Sequence, residues 1–464
     1  MSCLIHRLNL KFFTHGEMMI VMKFGGTSLA NAERINNVVN IIKSRLNRNP
    51  LVVVSAVGGV TDKLICAAKE ASKGINPTEK ANEIINIHRD IMKSLNLDYD
   101  FLEDDFMNLH DSLNGIYLLK ELSLRSLDLI SSFGEVFSSK ILASYMTSIG
   151  IISRQLCGWE SGIITDGNFG SAEVLEESYP NIKDSLSNLD KIPIVTGFIA
   201  KDRDGNITTL GRGGSDYTAS IIGSALNVQE IEIWTDVDGI KTADPQIVPN
   251  AIQWGTVTFN EASEMAYFGA RVLHPKTIKP AVKRQIPVRI LNTYNPENKG
   301  TLVLNDDVEN PMFRSISSKD NITIIRVCST DMLLAHGFLA KIFEIFNKYR
   351  ISIDIVSTSE VTVSMTLDNI NSSLKNLDLA ISELKEIGNV EILKDTSIVC
   401  IVGRGIRGRL GVLGRIFNVC KNEGINVEMV SQGASPLSIS FVVKKEDSVK
   451  LIKDLHKELF ENDK

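Results

Sequence analysis

Ile20-Val21-Met22-Lys23-Phe24-Gly25-Gly26-Thr27-Ser28 decides how this chain is read. A short apolar strand ending in two glycines lets backbone N–H groups come close to an anion, and the lysine beside them adds a fixed positive charge. The lysine precedes the glycines, the reverse of the order a Walker loop needs, so this phosphate cradle is not a P-loop. The plainer alternative is a strand-to-helix turn with a solvated lysine, and other segments must decide between the two.

Gly211-Arg212-Gly213-Gly214-Ser215-Asp216 is the first of them. Its arginine fork suits a carboxylate or phosphate, and the glycines open an apolar-periodic helix through Ile221, Ile222 and Leu226, so a helix N-terminus faces an anion. Asp204-Gly205, between Ile199 and Ile207-Thr208-Thr209-Leu210, reads as a hairpin turn that sets the arginine loop at a strand end.

Leu51–Val54, Ile192–Val195, Ile231–Trp234 and Val288–Leu291 are buried-type strands with helical patterns between several of them, which predicts a mostly parallel sheet covered by helices. Ligands bind at the carboxyl ends of such strands. Both glycine-rich segments fall there, as do Ser55 to Thr61 and Thr235-Asp236, while residues 75 to 147 form a helical layer.

The 464 residues and 43% apolar content suggest two to four domains, and a net charge of -6 makes no electrostatic case for nucleic acid. No run of 18 apolar residues suits a membrane span. The six cysteines are scattered without a C-x-x-C pair, as for idle thiols in a reducing cytoplasm, and no metal site is indicated. Residues 1–18 read as a loose extension, and Met18, Met19 and Met22 leave open a later natural start.

Beyond Asn310-Pro311, Gly337-Phe338-Leu339-Ala340-Lys341-Ile342-Phe343 recurs as Gly411-Val412-Leu413-Gly414-Arg415-Ile416-Phe417, and Ile351–Ser357 as Ile425–Ser431, at the same offset of 74 residues. This duplicates a strand-helix-strand-strand-helix unit. The second copy ends in its helix, so Phe313–Ser317 is the natural donor of its missing strand. Gly403-Arg404-Gly405-Ile406-Arg407-Gly408 imitates a dinucleotide fingerprint, but the equivalent stretch of the first copy lacks the glycines, which favours a plain loop.

Lys23–Ser28, Ser132-Phe133-Gly134-Glu135, Gly211–Asp216, Trp234-Thr235-Asp236-Val237-Asp238-Gly239 and Phe268-Gly269-Ala270-Arg271-Val272-Leu273-His274-Pro275 together resemble the aspartate kinases, in that family's order. The resemblance runs from about residue 19 to the end. It implies an amino-acid-kinase domain of α/β class over 19–307, followed by paired α+β ferredoxin-like ACT domains over 312–395 and 396–464, the latter completed by a strand from about 312–318. The implied reaction moves the γ-phosphoryl of ATP, with Mg2+, to the side-chain carboxylate of aspartate. The alternatives are a kinase of the same fold for another carboxylate, carbamate or nucleotide, or an amino-acid sensor without catalysis.

By the resemblance Lys23, Arg212, Asp216 and Glu135 carry catalysis. Lys23, Phe24, Gly25, Gly26, Thr235, Asp236, Lys241, Arg271 and Val272 meet the nucleotide, and Ser55, Thr61, Glu135, Arg212, Gly213 and Asp216 meet aspartate. A carboxylate of pKa about 3.9 is already ionised at neutral pH, so no general base is needed and the site must bring two anions together. Asp216 is also a plausible helix cap, and His274 before Pro275 reads as structural. Lys241 and Gln246 depart from relatives that carry an aromatic and an arginine, and Arg271 from those that carry lysine.

The tail implies feedback inhibition by an amino acid, lysine before threonine. Met332, Gly337, Phe338, Leu339, Ile353, Asp354, Thr358, Ser359 and Glu360 match the effector loop of the lysine-sensitive type, with Asp354 available to an ammonium. Leu334 and Ala335 replace polar residues there. Edge strands of such units pair between subunits, which implies at least a homodimer.

Overall fold

The computed structural model describes residues 19–187, 189–268, 273–306, 311–333, 336–368, 374–406, 408–433 and 435–461. They form two compact units: the chain up to Asp238 with Lys276–Leu304, and Gly239–Pro275 with the chain from Asn305 onward.

The first unit holds β1 (Ile20–Phe24), β2 (Pro50–Val54), β3 (Ser153–Leu156), β4 (Ile164–Thr165), β5 (Ile192–Thr196), β6 (Ile199–Asp202), β7 (Ile207–Thr209), β8 (Glu230–Thr235), β10 (Val288–Asn292) and β11 (Thr301–Leu304). Its helices are α1 (Ala32–Ser44), α2 (Val60–Ala71), α3 (Thr78–Ser94), α4 (Asp100–Leu119), α5 (Leu124–Ser148), α6 (Ser178–Leu186), α7 (Gly214–Leu226) and α9 (Pro275–Arg284).

The main sheet of this unit runs β3-β5-β2-β1-β8-β10-β11, parallel except for the β10–β11 pair. β1 and β2 are buried along their whole length, which is why they lack polar alternation. Ile20, Met22 and Phe24 join one core with α1 to α5. Each such side chain contributes about 1.5–3 kcal/mol on burial. Val21 and Lys23 alternate to the opposite face. The expected hairpin is present: β6 and β7 are antiparallel, and Gly205 turns between them at φ 82°.

The second unit holds β9 (Thr256–Thr258), β12 (Ser315–Cys328), β13 (Val356–Thr358), β14 (Thr362–Asp368), β15 (Asn389–Val402), β16 (Met429–Gln432) and β17 (Ser438–Lys444), with α8 (Phe259–Tyr267), α10 (Phe338–Lys348), α11 (Leu374–Ile387), α12 (Val412–Asn422) and α13 (Lys445–His456). One antiparallel sheet, β13-β14-β12-β15-β17-β16, serves both repeats. Ser315–Lys319 of β12 pairs with Ile398–Val402, while Ile322–Cys328 pairs with the other half of β15 and with β14. Each repeat keeps its own core, around Phe338, Ile342 and Met365 in the first and Val412, Ile416 and Phe441 in the second.

Glycines 403 and 405 have a packing reason: a Cβ on either would stand 2.1 Å from the Met312 carbonyl oxygen and 2.7 Å from Met312 Cα, respectively. Glu261 and Arg314 form a fully buried ion pair at 3.2 Å, and the same carboxylate closes the capping box that starts α8.

Candidate active site

β1 delivers Lys23 to the carboxyl end of the sheet, on the face opposite to Phe24. Its ammonium lies 2.7 Å from Asp216 Oδ1, a charge contact that lacks the angle of a hydrogen bond, and both side chains are largely buried. Asp216 sits in the first turn of α7, which Gly213 starts at φ 72°. The loop after β1 is fitted backbone to backbone: Gly25 N–H donates to the Trp234 carbonyl and Gly58 N–H to that of Gly26. A Cβ on Gly26 would meet the Ala56 carbonyl oxygen at 2.7 Å, which excludes larger residues there.

Glu135 comes up from α5, whose glycine neighbour Gly134 lets the helix approach Ala56. Its carboxyl is 3% exposed; Oε1 accepts the Ala56 N–H at 3.1 Å, and Oε2 has no hydrogen-bond partner among the described residues. Burial pushes its pKa up to about 8, against the pull of the Ala56 N–H. Such a carboxyl suits a ligand cation, which would restore its charge.

Arg212 is exposed and has no ion-pair partner among the described residues. Ser55 is half-buried at the end of β2, its N–H on the Phe24 carbonyl and its own carbonyl held by Ser138 Oγ at 2.7 Å. Thr61, half-buried, stands in the first turn of α2. Thr235 Oγ1 donates to Asp236 Oδ1 at 3.2 Å, and Asp236 is exposed. The structure thus brings Lys23, Gly25, Gly26, Ser55, Glu135, Gly213, Asp216, Thr235 and Asp236 to strand ends or to helices packed beside them. Phe24 turns its ring into the core against Trp234, 6.0 Å between centroids, so only its backbone faces the site. Lys241 belongs to the second unit, bridged to Gln253. Arg271 and Val272 lie outside the described residues, as do Leu334 and Ala335 of the effector loop.

Sequence reasoning missed Asp128, 2% exposed, seven residues before Glu135 and hence on the same face of α5. That spacing was the only signal available.

In the second unit, Met332, Leu333, Ser359 and Glu360 line a cleft of about 330 Å³. Gly337 starts α10 at φ 81°, Phe338 is buried, Leu339 is partly exposed, and Thr358 ends the exposed edge strand β13. Ile353 is half-buried against the first repeat's core. Asp354 is already engaged, with Oδ2 2.7 Å from Lys319 Nζ and Oδ1 accepting Tyr267 Oη–H at 3.2 Å.

A parallel sheet with glycine-lined strand ends, a lysine–carboxylate contact and a buried, half-satisfied carboxyl make a site for small charged ligands, of the kind a small-molecule kinase carries. Residues 18–292 match the amino acid kinase family and residues 399–459 the ACT domain. Aspartokinase 2 of Arabidopsis thaliana, a chloroplastic protein, is 40% identical, with 97% of this chain and 86% of that protein covered. The crystal structure of E. coli aspartokinase III with aspartate and ADP, in its R-state, is 33% identical with a TM-score of 0.82, covering 95% of this chain and 100% of that one. The same enzyme with lysine and aspartate, in its T-state, gives a TM-score of 0.79 at 33% identity, covering 95% of this chain and 99% of that one. The chain belongs to the aspartokinases of the amino acid kinase family.

Proposed function

We propose that this chain uses ATP to phosphorylate the side-chain carboxylate of L-aspartate, giving 4-phospho-L-aspartate and ADP, the entry step to lysine, threonine and methionine synthesis. A carboxylate oxygen forms the new bond to the γ-phosphorus as the bond to the bridging oxygen of ADP breaks. The carboxylate is ionised beforehand, so the chain's work is charge neutralisation and alignment. Lys23 faces the phosphates, with Asp216 fixing its ammonium; the Gly25 N–H is committed to the Trp234 carbonyl and shapes the turn, and the Gly26 amide adds a donor. Arg212 takes the α-carboxylate of aspartate, and Glu135 takes its ammonium beside Ser55, Thr61 and Gly213.

Thr235 and Asp236 border the nucleotide, with Lys241, Arg271 and Val272 proposed to complete its seat. Magnesium typically takes one or two carboxylates together with phosphate oxygens, and the exposed Asp236 fits such an ion; bound there it would offset charge between the β- and γ-phosphates.

The observation that carries this reading is Glu135, a buried carboxyl with one oxygen satisfied and one unpartnered among the described residues. Trapping the acyl phosphate with hydroxylamine tests it over a panel of acids. Aspartate-selective hydroxamate supports the reading, and equal product from succinate or glutamate refutes it.

Inhibition by lysine through Met332, Gly337, Phe338, Leu339, Ile353, Asp354, Thr358, Ser359 and Glu360 is the matching regulatory proposal, with threonine second. The lysine-bound T-state structure of the E. coli relative supports it. An effector ammonium reaching Asp354 has to compete with Lys319. The edge strands β13 and β16 leave backbone groups for a second copy, so the chain works as at least a homodimer, which light scattering across concentrations checks. The domain limits proposed are 19–307, 312–395 and 396–464. Among the described residues five cysteines are free, which suits a reducing compartment such as the cytoplasm.

A further inference from the structure

We infer that Asp128 is a positioning residue that sets the arginine loop for aspartate, through the hydrogen bonds it accepts from Gly170 and Thr209. Asp128 Oδ2 accepts the backbone N–H groups of Gly170 and Thr209, each at 2.9 Å, and Oδ1 accepts the Thr209 hydroxyl at 2.8 Å. The carboxylate is 2% exposed and Thr209 is 3% exposed, so these bonds are made away from water.

What they fix is the base of the Gly211–Gly213 turn. Thr209 is the last residue of β7, two residues before Gly211. Its carbonyl accepts the Ala172 N–H at 2.9 Å. On the other side, the Gly170–Ser171 turn lies against Gly211, where a Cβ would stand 3.3 Å from Ser171 Oγ and 3.4 Å from the Gly170 carbonyl oxygen. One carboxylate thus joins the strand that enters the loop to the turn that backs it. Arg212 itself has no ion-pair partner among the described residues, so the backbone beneath it decides where its guanidinium starts from.

The same helix sets the opposite side of the substrate site. Asp128 and Glu135 lie two turns apart on one face of α5, the first holding the arginine loop and the second the Ala56 amide. α5 thereby gauges the separation between the groups proposed for the α-carboxylate and the ammonium of aspartate. An amino acid presents these two charges at a fixed spacing, so a rigid gauge favours it over acids lacking either one.

The inference rests on Arg212 holding the α-carboxylate, and a double-mutant cycle on the intact enzyme separates the two claims. Arg212→Ala should raise the aspartate KM about 30-fold or more. Asp128→Asn replaces the charged acceptor of the Gly170 and Thr209 N–H groups by a neutral amide oxygen, weakening both bonds, and should raise that KM about tenfold, with the ATP KM unchanged and kcat within about twofold. In the Arg212→Ala background, the same change should add less than about twofold. An equal factor in both backgrounds, or no change in the aspartate KM, overturns the inference. An unchanged KM in Arg212→Ala instead overturns the reading of Arg212. Thr209→Val removes only the hydroxyl bond and serves if Asp128→Asn fails to fold; a rise of about threefold is expected, and none at all counts against the role of Asp128.

Discussion

The Lys23 ammonium and the Asp216 carboxylate stand 2.7 Å apart, joining the end of β1 to the first turn of α7. The pair leaves a cation at the strand ends already oriented before phosphate arrives. Replacing Lys23 by Met removes that cation and leaves Asp216 with a repulsive field toward ATP. Steady-state kinetics of Lys23→Met should show kcat lower by roughly 10² to 10³. Unchanged turnover would remove Lys23 from the mechanism.

Glu135 makes both binding and stability depend on pH. Its pKa rises from the ordinary 4.5 to about 8 because burial disfavours the anion. Its contribution to stability is therefore fully present below pH 4.5, is lost as pH rises toward 8, and is flat above that; the slope approaches roughly 1.4 kcal/mol per pH unit. Substrate ammonium needs the anion, so the aspartate KM should fall between pH 6 and 8 and level off above 8. Glu135→Gln should abolish both trends in thermal melts and kinetics, at a much higher aspartate KM.

Gly134→Ala sets two effects against each other. Helix propensity alone favours alanine by roughly 0.8–1 kcal/mol. The new Cβ, however, would stand 2.7 Å from the Ala56 Cβ, and overpacking of that kind costs about 1–3 kcal/mol. Overpacking wins, and because Ala56 carries the amide bound to Glu135, the aspartate KM should rise together with the loss in Tm. A gain in Tm with normal KM would show that the helix and loop move apart freely.

Asp354→Ala should leave kcat within about twofold while removing inhibition by lysine, since it deletes the carboxylate now shared by Lys319 and Tyr267. Dose-response curves with lysine and threonine decide it. Full inhibition of the variant by lysine would place the effector elsewhere.

Arg314→Met leaves Glu261 as a buried carboxylate without its main cation. Breaking such a pair costs about 3–5 kcal/mol, which denaturant unfolding of the second unit should register. A loss below about 1 kcal/mol would mean that water or another cation reaches Glu261.

The strand ends were legible because their chemistry is local: Lys23 beside two glycines and Arg212 between two more announce anion handling without any tertiary information. Glu135 was legible only through the family, since a carboxylate in a helix ordinarily marks a solvated face. Asp128 and the Glu261–Arg314 pair were invisible for the same reason, their burial being decided by segments distant in sequence. Only the start of β12, within Phe313–Ser317, reads as a strand in the sequence, because polar residues interrupt the apolar runs of both β12 and β15, at Lys319-Asp320-Asn321 and at Lys394-Asp395, where β12 shifts register and Asp395 adopts φ 56°. Pairing across the two repeats carries each strand through its polar break.

The most direct test is a crystal structure of this protein with ADP and aspartate bound. The account predicts the Arg212 guanidinium on the α-carboxylate, Glu135 Oε2 on the ammonium, and Lys23 toward the phosphates with the side-chain carboxylate in line. Arg212 turned to solvent, with aspartate bound away from Glu135, would contradict it.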